Sequence, residues 1–108
     1  MTALVWCPFP DQASARAVTG QMIDERLIAC ANLFDNMTAL FVWQGERGEA
    51  AECGALLKTD AARMAAAVAR LEQIHPYDTP AILGWHCDVA GAATAAWLAD
   101  ETRPQDVA

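Results

Sequence analysis

Apolar residues along the chain fall into stretches with two different spacings, and proline and glycine separate these stretches. Residues 2–7 (TALVWC) form a short apolar run that Pro8 and Pro10 stop, which is typical of a strand. The next segment, from Asp11 to about Ile28, has apolar residues at helical spacing, namely Ala15, Val18, Met22 and Leu27. Because Asp is a favoured N-cap residue, this pattern predicts a helix that begins at Asp11.

The middle of the chain has the composition of two strands. The stretch from Cys30 to Trp43 is rich in β-forming residues, and Asp35–Asn36 within it indicates a bend or a bulge. A polar connector with two glycines, residues 44–49, leads into a second run from about Glu49 to Thr59. Two strands joined by a short glycine-bearing connector predict a hairpin.

The last third of the chain predicts a helix, a strand and a second helix. Residues 60–74 have apolar positions at helical spacing, with Thr59 or Asp60 as the cap and Pro76 as the stop. Residues 82–89 are predicted as the last strand and residues 92–101 as a short Ala-rich helix, and the tail from Thr102 is predicted to fray. The order β-α-β-β-α-β plus a terminal helix is the ferredoxin-like pattern. We therefore expect a single α+β domain over residues 1–108, with an antiparallel sheet and an extra C-terminal helix.

The predicted strands carry apolar residues on both faces. Met37, Ala39, Phe41 and Trp43 share one face of their strand, and Leu83, Trp85, Cys87 and Val89 share one face of the last strand. Right-handed crossovers place both crossover helices on one face of the sheet, so the second face needs another cover. We expect a homo-oligomer with closed rotational symmetry. The alternative is that the terminal helix, with Trp97 and Leu98, folds over this face.

The net charge and the cysteine content limit which binding partners and which cellular compartment are expected. The formal net charge of −7 argues against a general nucleic-acid binder and against attraction to an anionic membrane. Apolar runs long enough to span a bilayer and a basic N-terminal signal region are both missing, so we predict a cytoplasmic protein without membrane insertion. The four cysteines form no CxxC pair, which predicts free, mostly buried thiols in a reducing compartment.

Five motifs in order resemble the CutA divalent-ion tolerance family, and the resemblance as a whole runs from about Leu4 to Glu101. They are residues 25–32 (ERLIACAN), residues 43–45 (WQG), the strand from Glu52 that ends in Lys58–Thr59, residues 75–80 (HPYDTP) and Trp97–Leu98. The resemblance implies a ferredoxin-like protomer in a tight homotrimer, similar in architecture to the trimeric nitrogen-regulatory signal proteins. It also implies a role in tolerance to divalent cations, especially copper, without enzymatic activity.

The predicted topology brings a thiol, an imidazole and a carboxylate to one end of the sheet. Cys7 ends the first strand, and His75, Tyr77 and Asp78 follow the second crossover helix to the same end, where we also expect the hairpin at Trp43. Thiolate and imidazole are ligands that copper prefers, so Cys7, His75 and Asp78 are the predicted ligands of copper or another divalent cation.

The resemblance assigns copper binding to the positions of Cys7 and His75. Ile74 stands where some family members carry a further histidine, which leaves Cys7 and His75 with Asp78 or a residue of a neighbouring subunit to complete the coordination shell. Each predicted ligand also has a purely structural interpretation. Cys7 is then a core residue, His75 a cap of its helix, and Asp78 a turn residue that bonds its own backbone.

A second hypothesis is a trimeric signalling protein that binds a small anionic ligand between subunits. Arg26, Trp43, Lys58 and Tyr77 are the candidate ligand-binding residues, although no glycine-rich phosphate loop supports them. Trp43 and Tyr77 also suit interface packing, and Lys58 suits a snorkelling side chain. A third hypothesis, an enzyme using His75, Tyr77 and Asp78 for acid–base chemistry, lacks a nucleophile with an adjacent base. We therefore predict a non-catalytic protein without an organic cofactor.

Overall fold

The computed structural model describes residues 1–105 and contains four strands and three helices in that range. In chain order these are β1 (Thr2–Phe9), α1 (Gln12–Asp24), β2 (Cys30–Trp43), β3 (Glu46–Asp60), α2 (Ala61–Ile74), β4 (Leu83–His86) and α3 (Ala92–Glu101). The strands form one antiparallel sheet in the order β2-β3-β1-β4. The ferredoxin-like α+β prediction is therefore confirmed, and the C-terminal helix is present as expected.

The core lies between one face of the sheet and the helices α1 and α2. Alternate residues of β1 and β3 point to this face, and the helices contribute the opposite side. Its fully buried members include Val5, Cys7, Phe9, Met22, Cys53, Leu57 and Leu71. Asp11 and Asp60 cap the two helices, since their carboxylates accept hydrogen bonds from the Ser14 and Ala62 backbone N–H groups. The predicted helix starts are therefore confirmed.

Helix α1 ends at Asp24, so the prediction that it extends to about Ile28 is wrong. Arg26 adopts a left-handed conformation with φ of 60°. The Arg26 N–H donates to the Ile23 carbonyl, and the Leu27 N–H donates to the Met22 carbonyl. This pair of bonds is the Schellman motif, which ends a helix by satisfying its last carbonyls. Leu27 looked like a continuation of the helical spacing because it returns to the core immediately after this turn.

The β2–β3 hairpin turns through two residues, so the predicted connector over residues 44–49 is too long. Gln44 and Gly45 both have positive φ, of 51° and 79°, and β3 begins at the next residue. A two-residue turn with both φ values positive matches the twist of the flanking strands. Gly48 belongs to β3, where it pairs with Phe41. A Cβ at Gly48 would come within 2.4 Å of the Phe41 ring, so this glycine makes room for an aromatic side chain.

A bulge in β2 confirms the bend predicted at Asp35–Asn36. The register between β2 and β3 shifts between Phe34 and Met37, and Asn36 has a φ of 57°. The extra residue changes the phase of the alternation, so Phe34 and Met37 point to the same face of the sheet. As a result, β2 carries a continuous apolar stripe along the face opposite α1 and α2, made of Phe34, Met37, Ala39, Phe41 and Trp43.

Beyond the bulge, the hairpin leaves the sheet. The last residue of β1, Phe9, pairs with Cys53, so residues 46–52 of β3 pair only with β2. We call residues 37–52 the β2–β3 arm. At about 3.4 Å per residue, the arm extends about 20 Å past the end of β1.

Strand β4 covers Leu83–His86, which is shorter than the predicted residues 82–89. It pairs with Ala3–Trp6 of β1, and the Cys87 N–H makes one further bond to the Thr2 carbonyl. Pairing ends there because β1 itself begins at Thr2. The tail was predicted to fray from Thr102, yet Thr102 is buried and its hydroxyl donates to the Leu98 carbonyl. Residues 106–108 of that predicted tail lie outside the described residues.

Helix α3 lies on the second face of the sheet but covers only part of it. It packs on β3 and β1 and contacts neither α1 nor α2, and its residue Leu98 is buried. Large apolar side chains remain exposed on the second face and the arm, including Leu40, Phe41, Val42, Trp43, Leu83, Trp85 and Trp97. Among residues 1–105, none of the helices is both long and apolar enough to cross a membrane.

Candidate functional site

The predicted metal site maps to the end of the sheet where β1 and α2 finish, which we call the top end (residues 7–9 and 75–78). Cys7 and His75 lie there against the same backbone oxygen. The Cys7 thiol donates a weak hydrogen bond to the Pro8 carbonyl over 3.8 Å, and His75 Nε2 donates to the same oxygen over 2.8 Å. Two side chains 68 residues apart along the chain therefore meet, as the topology argument predicted.

Both ring nitrogens of His75 are engaged in hydrogen bonds. While Nε2 donates to Pro8, Nδ1 accepts from the Tyr77 backbone N–H over 3.0 Å. The ring also stacks on Phe9, with centroids 4.4 Å apart and planes 20° apart. This pattern fixes the neutral tautomer that carries its proton on Nε2. Burial lowers the pKa of His75, which favours the same neutral form.

Cys7 is a buried thiol in this environment. Its side chain has no exposed surface, and burial together with the nearby Glu52 carboxylate raises the pKa of Cys7 to about 12. Metal ions bind the thiolate form of cysteine, so an ion that takes Cys7 as a ligand has to displace a firmly held proton.

Tyr77 fastens the turn after α2 to the base of the arm. Its hydroxyl donates to Glu52 Oε2 over 2.8 Å, and its ring lies 5.1 Å from that of His75. Burial and the Glu52 carboxylate raise the pKa of Tyr77 to about 12. Glu52 was not among the sequence-predicted site residues. Its signal lies in the register, since it is the β3 residue directly before Cys53, at which the β1–β3 pairing ends.

Asp78 does not join Cys7 and His75. It is exposed and lines a separate shallow cavity of about 230 Å³ with Glu72 and Thr79. Within residues 1–105, no three His, Cys, Asp or Glu side chains are arranged to hold a metal ion. The sequence-predicted ligands of one chain therefore do not fit a metal ion by themselves.

The candidate anion-binding residues are dispersed over the molecule. Trp43 is at the tip of the β2–β3 arm, about 20 Å from the base of the arm, where Tyr77 bonds Glu52. Lys58 and Arg26 lie at the opposite end of the sheet, where the Ala29 N–H bonds the Lys58 carbonyl. Arg26 lines an open cavity of about 270 Å³ whose lining also includes Asp24 and Glu101. Two acidic residues in the lining of this cavity disfavour a small anion there.

The fold and this end geometry define a class: a small ferredoxin-like α+β protein with an exposed apolar sheet face and a projecting hairpin. Residues 3–101 match the family model described as CutA1 divalent ion tolerance protein. The chain belongs to the CutA1 divalent ion tolerance family.

Individual relatives agree with this assignment. The Divalent-cation tolerance protein CutA of Pyrococcus horikoshii is 39% identical over 100 residues, which cover 93% of this chain and 97% of that protein. The protein of the same name from Thermococcus kodakarensis is 34% identical over 96 residues, covering 89% and 91%. The crystal structure of CutA1 from Ehrlichia chaffeensis superposes with a TM-score of 0.88 at 34% identity and covers 94% of both chains.

Proposed function

We propose that this protein acts in tolerance to divalent cations as a non-catalytic homotrimer that binds copper or another divalent cation inside the cell. Family membership supports the tolerance role. The observation that carries the assembly is the apolar surface on the second face and the arm. All four cysteines are free thiols, which agrees with a reducing compartment.

The β2–β3 arm is the strongest argument for self-association. At its tip, Val42 is 71% exposed and Trp43 is 52% exposed. The apolar side chains of a hairpin that projects into water contribute little to its stability, since two strands alone are marginally stable. Packing against a second copy buries this surface, which stabilises the assembly by roughly 25 cal/mol for each Å² of apolar area removed from water. Closed rotational symmetry among three copies covers all arms equally.

Self-association also bears on ion binding. The ligand set Cys7, His75 and Asp78 is not assembled within residues 1–105 of one chain. We therefore place the ion at a boundary between subunits, where exposed side chains of two chains, rather than the buried Cys7 and His75, coordinate it. The exposed Asp78 is available for such a shared site. The ion is the protein's cargo, and no chemical step is assigned to it.

The assembly is tested by native mass spectrometry and sedimentation velocity on a matched pair of variants. Phe41 on the apolar stripe and Ile23 on α1 are each 43% exposed. Phe41→Glu is expected to yield monomers, because a carboxylate would be buried unpaired between subunits. Ile23→Glu is expected to leave the trimer intact. A monomeric wild-type protein at micromolar concentration would overturn the proposed assembly.

Ion binding is tested on the same samples with copper added under reducing conditions. The expected result is uptake of about one ion per chain in the wild-type trimer, lost in the monomeric Phe41→Glu variant. An Asp78→Asn variant is expected to weaken uptake without changing the oligomer. A trimer that takes up no ion would refute the ion-binding part of the proposal and leave the assembly standing.

A further inference from the structure

We propose that His75 in this chain is a structural clamp that seals Cys7 beneath the top end, and that it is not a metal ligand. The inference goes beyond the proposed function, because it holds whether or not an ion binds elsewhere on the trimer. It rests on three connected observations: the hydrogen bonds of the imidazole, the Pro8 carbonyl oxygen that it shares with Cys7, and the link from the same turn to the arm.

The imidazole has no free lone pair. Metal ions bind a ring nitrogen through its lone pair. In His75, the Nδ1 lone pair accepts the Tyr77 N–H, and Nε2 carries the proton that is donated to Pro8. Coordination would require breaking one of these bonds and turning the ring away from Phe9, on which it is stacked. The side chain is also 8% exposed, so an ion in water meets little of it.

The clamp shares a hydrogen-bond acceptor with the Cys7 thiol. Cys7 Sγ and His75 Nε2 both address the Pro8 carbonyl oxygen, so the imidazole occupies the space beside that oxygen. Phe9, against which the ring is stacked, is itself fully buried. Cys7 itself has no exposed surface, so an ion or a thiol reagent reaches it only after neighbouring side chains move, and the His75 ring is the neighbour that shares its hydrogen-bond acceptor. The other thiols provide an internal scale, since Cys30 and Cys87 are partly exposed whereas Cys53 is buried.

The clamp also holds the base of the arm. His75 fixes the end of α2 to the end of β1, and two residues later Tyr77 bonds Glu52 at the base of the arm in β3. The turn thus ties together α2, β1 and β3 with neutral donors and one carboxylate. A residue in this position restrains the direction of the arm, which the proposed assembly needs.

The first test reads the protonation state of the imidazole directly. Nitrogen-15 NMR of histidine-labelled protein is expected to show the His75 ring with an unprotonated Nδ1 and a protonated Nε2, unchanged when Cu(I) or Zn²⁺ is added. His86, the other histidine, is exposed and serves as the internal reference. A shift of either His75 nitrogen that follows ion occupancy would overturn the inference.

The second test uses paired variants and the reactivity of each thiol, followed by peptide mass mapping after brief alkylation. His75→Ala is expected to raise the alkylation rate of Cys7 by at least about tenfold, whereas the rates of Cys30 and Cys87 stay unchanged. His75→Gln is expected to restore protection, because its amide can donate to Pro8 and accept from Tyr77. Equal Cys7 rates in the wild type and His75→Ala would contradict the seal.

Ion uptake by His75→Gln separates the clamp from a ligand. If His75 were a ligand, this variant would lose at least about tenfold in affinity for Cu(I) or Zn²⁺. We expect its uptake to equal that of the wild type. A wild-type trimer that binds no ion would count against the proposed function only, because the NMR and alkylation results still decide the role of His75.

Discussion

Replacing Arg26 with glycine is expected to stabilise the protein, although Arg26 was a candidate ligand-binding residue. Arg26 occupies the left-handed position after α1, with φ of 60°. For a residue with a Cβ this conformation costs roughly 1–2 kcal/mol. Glycine adopts this conformation freely, but it loses more conformational entropy on folding, and this cost offsets about 0.5–1 kcal/mol of the gain. The net expectation is that Arg26→Gly stabilises the folded chain by about 0.5–1 kcal/mol.

The side chain of Arg26 contributes little to this balance. Within the described residues, its guanidinium makes no hydrogen bond or ion pair, and Arg63 Nε bonds only the Arg26 carbonyl, which glycine retains. Arg26→Ala therefore serves as the reference, because it removes the side chain but keeps the Cβ. Arg26→Val should be less stable than Arg26→Ala, since β-branching makes the left-handed conformation harder to adopt.

Urea unfolding at fixed protein concentration measures these differences, with the m-value as a check that the unfolded state is unchanged. The expected order of unfolding midpoints is Arg26→Gly above Arg26→Ala above Arg26→Val. If Arg26→Gly unfolds at a lower urea concentration than Arg26→Ala, the left-handed conformation at residue 26 does not have the cost we assign to it, and the prediction is refuted.

Three further predictions follow from the packing and the pKa shifts. Gly54→Ala should destabilise the protein by about 1–3 kcal/mol in thermal unfolding, because the new Cβ would lie 2.4 Å from the Trp6 ring; no loss would mean that Trp6 moves freely. Gly20→Ala should stabilise it by about 0.5–1 kcal/mol, since Gly20 sits in α1 with open space at the Cβ position. Tyr77 is the only tyrosine, so ultraviolet titration should show one phenol ionising near pH 12 in the folded protein. Because the pKa of Tyr77 is higher in the folded state than the unfolded value of 10, the protonated phenol stabilises the fold fully below pH 10, and this stabilisation is lost as the pH rises towards 12. A phenol that ionises near pH 10 in the folded protein would contradict the prediction.

Much of the fold was predictable because its signals are local. Asp11 identifies the start of α1, and the pair Thr59 and Asp60 identifies that of α2, since an N-cap needs only one side chain and the two or three residues after it. The bulge at Asp35–Asn36 was visible because short polar side chains tolerate the left-handed backbone that a bulge uses. The apolar second face was visible from the alternation of the strands.

The candidate site was only partly predictable. Topology correctly brought Cys7 and His75 to one end, because strand direction follows from element order alone. Asp78 was grouped with them because it is three residues from His75, yet the turn points it to another surface. The hairpin at Trp43 does turn at this end of the sheet, but the arm carries it about 20 Å beyond the end of β1, and element order does not specify that length.

The sequence by itself determined the element order, the caps, the free thiols and the family, because these depend on spacing and residue type within short segments. Only the tertiary structure decided that Arg26 ends α1, that Gly48 makes room for Phe41, and that both nitrogens of His75 are occupied. Each of these depends on contacts between distant segments or on the path of the backbone, which strand register and packing set. The spacing of apolar residues predicts which face of an element a side chain occupies, whereas strand register determines which side chain it contacts on that face.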